Sequence, residues 1–98
     1  MGRKSSYLEQ IDKFIGRKIY FLRLAKGLSR AELSKVIDVT YQQLQKYENG
    51  TNRVSASRLL LIAKALEHEI PYFYEGFKRS DNRGARYCKK AASLNKSN

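Results

Sequence analysis

Apolar residues recur along this chain at helical spacing, with polar residues filling the gaps. Leu8, Ile11, Ile15, Ile19 and Leu22 follow one another at intervals of three and four, which predicts one long helix over residues 7–25, ending near Gly27. Leu59, Ile62, Ala63 and Leu66 form a second apolar stripe ending at Leu66, and Ser55 or Ser57 can cap its start. Pro71 suits the first turn of a short final helix in which Tyr72, Phe73 and Tyr74 continue to Phe77. Residues 50–54 are left as a loop.

Between these stripes lies the segment LSRAELSKVIDVTYQQLQKYENG, residues 28–50. Ser29 and Glu32 have the spacing of a capping box, and Ala31, Leu33, Ser34 and Ile37 then supply a short face that lasts until Asp38. Thr40 and Gln43 repeat the box eleven residues later, so a turn of three residues separates two short helices. The pattern is a helix-turn-helix. Successive residues rotate by about 100° around a helix axis, which puts Tyr41, Gln42, Gln45 and Lys46 on one side of the second helix. Leu44 and Tyr47 point the opposite way, toward the first. A Gln amide can bond the edge of adenine in the major groove, and Lys can reach guanine or a phosphate. The exposed face suits a helix that reads bases.

The chain resembles the phage repressor and Cro family, also called Xre, over roughly residues 15–76. The resemblance is carried by Ile19-x-x-Leu22-Arg23, by residues 28–50 ending in Tyr47-Glu48-Asn49-Gly50, by Leu59-x-x-Ile62-Ala63-x-x-Leu66, and by Pro71-Tyr72-Phe73-Tyr74. It implies an all-α, five-helix, lambda-repressor-like domain that acts as a homodimer on an inverted repeat. By position, Tyr41, Gln42, Gln45 and Lys46 would face bases, while Arg30, Thr40, Gln43 and Arg53 would hold phosphates. The resemblance also implies a pair between Arg23 and Glu48 that clamps the first helix to the reading helix; two independent surface charges are the alternative. Tyr72, Tyr74 and Phe77 are candidates for a dimer surface, and Phe73 for the core.

Three residues depart from the family pattern. Arg30 replaces a common Gln, and its full charge should strengthen a phosphate contact. Ser34 stands where Ala is usual, so its hydroxyl needs a partner such as a carbonyl one turn back. Asp38 occupies a turn position commonly filled by Gly, which requires a left-handed backbone that Asp tolerates.

Charge refines this picture. The net charge is +11, from 20 Lys and Arg against 9 Asp and Glu. Residues 1–6 carry +2 and residues 7–76 carry +3, while seven cations against Asp81 give residues 77–98 a surplus of +6. The expected organisation is a flexible basic N-terminus at 1–6, a helix-turn-helix domain at 7–77 and a basic, disordered tail at 78–98. That tail is either solvated or an arm tracking phosphates.

Nothing in the chain composes a catalytic centre, and no cofactor or metal is expected. His68 is the only histidine and Cys88 the only cysteine, so one chain can form neither a His/Cys metal cluster nor a disulfide. His68 is read as a partly buried packing residue and Cys88 as an inert thiol suited to a reducing cytoplasm. No apolar run approaches the ~20 residues that span a bilayer. The expected partners are double-stranded DNA and a second copy of the chain, in a bacterial or phage-encoded protein located in the cytoplasm at the nucleoid. Two other readings stay open: an antitoxin or coactivator-like protein-interaction module, and a tail-driven binder of nucleic acid without sequence preference.

Overall fold

The computed structural model describes residues 6–77. Residues 1–5 and the tail at 78–98, including Cys88, lie outside the described residues, and so do the expectations that fall on them. The described chain contains helices α1 (Ser6–Lys26), α2 (Arg30–Val36), α3 (Tyr41–Asn49) and α4 (Ala56–Leu66), followed by a 3₁₀ turn at Ile70–Tyr74. No strand occurs among these residues.

Each boundary has a local cause. Helix α1 stops where Gly27 takes a left-handed φ of 79° and the Leu28 amide donates back to the Arg23 carbonyl at 3.1 Å. Ser29 and Glu32 form a complete capping box: Ser29 Oγ accepts from the Glu32 amide at 3.0 Å, and Glu32 Oε1 accepts from the Ser29 amide at 2.8 Å. At Thr40 only the forward half forms, with Oγ1 accepting from the Gln43 amide at 3.0 Å. Ser55, rather than Ser57, caps α4, accepting from the Arg58 amide at 3.1 Å. Asp38 adopts the left-handed backbone its position demands, at φ 61°, and Glu67 does the same at φ 60° after α4.

The final helix is where sequence pattern and structure part. Residues 70–74 form one 3₁₀ turn instead of a fifth α-helix reaching Phe77. Pro71 has no amide to donate, and Gly76 at φ 90° turns the chain soon afterwards, so there is no length over which α-helical bonds could propagate. Bonds of the tighter type serve instead, as from the Tyr72 amide to the Glu69 carbonyl at 3.0 Å. They deliver Phe73 into the core, where it is fully buried.

Ile15, Ile19 and Leu22 of α1 meet Leu33 of α2 and Ile37 just after it, Leu44 and Tyr47 of α3, and Leu59, Ile62 and Leu66 of α4 in one core. Two sequence expectations fail at its rim. Leu8 is 43% exposed, because the first turns of α1 overrun the core; Tyr7 and Phe14 meet Phe77 there, with ring centroids 6.0 and 5.3 Å apart. His68 is exposed rather than partly buried, because it follows the left-handed turn at Glu67 where the chain leaves the core. Its ring rests 4.6 Å from that of Tyr72, and Nδ1 lies 2.9 Å from the Leu66 carbonyl.

Candidate nucleic-acid interface

Helix α3 presents two unlike sides. Tyr41, Gln42, Gln45 and Lys46 are exposed together, while Leu44, Tyr47 and Glu48 are buried. Thr40 is exposed at the start of the helix, and Gln43 is half-buried beside it. The exposed side offers amide donors and acceptors, a phenol and an ammonium, with no carboxylate. Such a surface can bond base edges and tolerates the negative field of a duplex.

What holds this side in place is a set of charges behind it. Arg23 Nε donates to Glu48 Oε2 at 2.7 Å and its Nη2 to Oε1 at 3.3 Å, while Nη1 reaches the Leu28 carbonyl at 3.0 Å. Only 6% of the Arg23 side chain and 2% of the Glu48 side chain are exposed. Arg30 joins from α2, its Nε donating to Glu48 Oε1 at 2.9 Å and its Nη1 to the Tyr41 hydroxyl at 3.4 Å. One buried carboxylate therefore ties α1, α2 and α3 together through two guanidinium groups. Hydrogen bonds to Tyr41 and to Glu48 hold the Arg30 pKa above its ordinary value. The full charge expected at Arg30 is thus shared with Glu48, although 24% of its side chain still meets solvent.

Arg53 is also engaged. It stands 63% exposed in the loop after α3, with Nε 3.2 Å from Asp12 on α1. Ser34, the third unusual residue, donates its hydroxyl to the Ala31 carbonyl at 2.9 Å, so the small position between α2 and α3 carries no orphaned polar group. Of the three aromatic residues considered for a dimer surface, only Tyr74 is exposed. Phe77 is half-buried against Tyr7 and Phe14, and Tyr72 lies beneath Lys18, whose Nζ is 4.3 Å from the ring centroid.

Sequence reasoning missed Gly16, Arg58 and the second role of Gly50, all of which set the pose of α3. Gly16 lies buried in α1, where an added Cβ would collide with the Tyr47 carbonyl oxygen and come within 2.7 Å of that of Glu48. A glycine inside a helix costs about 1 kcal/mol against alanine, and that local cost was the available signal of a close approach. Gly50 serves twice: its φ of 79° ends α3, and a Cβ there would stand 2.7 Å from the Lys13 Cα. Arg58 Nη1 donates to the Ile37 carbonyl at 2.7 Å and so steadies the turn between α2 and α3 from the side of α4. Among the described residues, no group of three or more His, Cys, Asp or Glu is placed to hold a metal, and no helix is long and apolar enough to cross a membrane.

Comparison with known proteins agrees with this geometry. The family model described as helix-turn-helix matches residues 19–73. A protein of Rickettsia conorii named an uncharacterized HTH-type transcriptional regulator is 60% identical over 81 residues, covering 83% of this chain; the chain spans 65% of that relative's length. Among solved structures, the restriction-modification controller protein C.AhdI of Aeromonas hydrophila superposes with a TM-score of 0.59 at 32% identity, covering 64% of this chain and 94% of its own. The clp gene regulator ClgR of C. glutamicum shares the fold, with a TM-score of 0.62 at 24% identity over 64% of this chain and 82% of its own. The chain belongs to the helix-turn-helix family, in its phage repressor and Cro-like branch.

Proposed function

We propose that this protein is a sequence-specific, double-stranded DNA-binding regulator of transcription that acts as a repressor. In this reading it sits as a homodimer on a palindromic operator whose half-sites lie about one helical turn, ~34 Å, apart. The observation that carries it is the exposed face of α3, free of carboxylates and backed by the buried Arg23–Glu48–Arg30 cluster. A face with fixed orientation can hold its amides in register with base edges, while phosphate contacts alone carry no sequence information. Gln42 and Gln45 read base edges, Tyr41 and Lys46 assist, and Thr40, Gln43, Arg30 and Arg53 hold the backbone. Exposed Leu60 and Leu61 of α4, with Tyr74 in the 3₁₀ turn, supply apolar surface for a second copy.

Selection of preferred sites from random duplexes tests this directly. The expected product is one palindromic motif bound with a stoichiometry of two chains per site. A pool without enrichment, or a motif lacking two-fold symmetry, would overturn specificity or dimerisation respectively.

A further inference from the structure

An open cleft of about 460 Å³ lies where α1 passes the end of α3, and Lys13, Arg17, Arg30, Glu48 and Asn49 line it. Three cations face one carboxylate, and that carboxylate is buried and already bonded to Arg23 and Arg30. Lys13 and Arg17 are exposed, and neither has an ion-pair partner among the described residues. They stand four residues apart on one stripe of α1, where Glu9, four residues before Lys13, is the one acidic residue set against two cations. The glycine contact between Gly50 and Lys13 fixes this stripe against the C-terminal end of α3.

From this we infer that Lys13 and Arg17 form a second phosphate-binding site, which takes the duplex backbone outside the base pairs that α3 reads. The inference rests on the DNA-binding reading above. Arg30, which that reading places on the DNA backbone, lines the same cleft as Lys13 and Arg17, so the three cations form one basic surface beside the C-terminal end of α3. Cations at Lys13 and Arg17 then meet the next phosphates along the strand. Both residues precede the span matched by the family model, so the site belongs to the N-terminal part of α1 and not to the matched core.

The test uses the full chain carrying Lys13→Gln and Arg17→Gln together, and two duplexes bearing the selected motif. One is trimmed to the motif, and the other is longer by about one helical turn, ~10 bp, on each side. On the longer duplex the double variant should bind on the order of tenfold more weakly, and the slope of log affinity against log salt should fall by about two. On the trimmed duplex it should bind like the unsubstituted chain. Equal loss on both duplexes, or no loss on either, overturns the site while leaving DNA binding intact. If the double variant does not fold, phosphate ethylation interference on the unsubstituted chain decides: interference outside the motif supports the site, and its absence overturns it. Failure of the unsubstituted chain to bind either duplex would overturn the DNA reading itself, and the flanking site with it.

Discussion

The two sides of α3 differ in how much of the protein depends on them. One side touches α1 through Gly16 and Gly50 and shares a buried carboxylate with Arg23 and Arg30. The other is open to solvent from Tyr41 to Lys46. The first is constrained by packing and charge, so substitutions there should cost stability and binding together. Apart from the Tyr41 hydroxyl, which accepts from Arg30, the second contributes little to the fold, so substitutions at Gln42, Gln45 and Lys46 should change recognition alone. Under the proposed function, the precision of the open side is thus a property of the anchored side.

The largest expected effect comes from breaking the anchor at its tightest point. Gly16→Val should cost more than about 3 kcal/mol of folding stability in urea titration, because the obstacle is backbone carbonyl oxygen that side-chain repacking cannot move aside. A stability close to that of the parent chain would show that α1 and α3 can separate without loss. Next, Glu48→Ala leaves two guanidinium groups facing each other behind α3 and should cost about 3 kcal/mol, with a parallel fall in DNA affinity. Unchanged melting would reduce the cluster to independent charges. Gln42→Ala addresses the open side: melting should stay within about 0.5 kcal/mol of the parent, while binding to the preferred site weakens by about 1 to 3 kcal/mol and specificity relaxes at one base pair. Equal weakening on all sequences would deny Gln42 its base-reading role.

The smallest effect serves as a control remote from both sides. Glu67 is exposed and its pKa is lowered by a hydrogen bond from Lys26 and by that residue's charge, at an Nζ to Oε1 distance of 2.6 Å. A carboxyl with a depressed folded-state pKa stabilises the protein above its ordinary value and loses that contribution as pH falls through the folded value. Glu67→Gln should therefore lower the melting temperature slightly at neutral pH, and the two proteins should converge on acidification. A difference that persists at low pH would point to the left-handed turn rather than to the ion pair.

Much of this was legible in the sequence, for physical reasons. Capping signals at Ser29 and Thr40 and the apolar stripes located α1 to α4, because caps and amphipathic spacing are local properties. The left-handed turn at Asp38 was legible through the resemblance, because the family commonly places Gly there and Asp tolerates the same backbone. The last segment was misread because Pro71 is compatible with either helix type, and the surrounding chain decides between them. The pairing of Arg53 with Asp12, the hold of Arg58 on Ile37 and the cleft at Lys13 and Arg17 were illegible, because each joins residues far apart in the chain or depends on which face of α1 remains uncovered.

The glycine contact at Gly16 also bears on how the domain becomes competent as it is made. A nine-residue helix is too short to persist alone in water, so α3 needs a template. That template is α1, which precedes it and leaves the ribosome first. The open face of α3 therefore takes up its pose when its C-terminal turn docks at Gly16, in the slot that α1 provides.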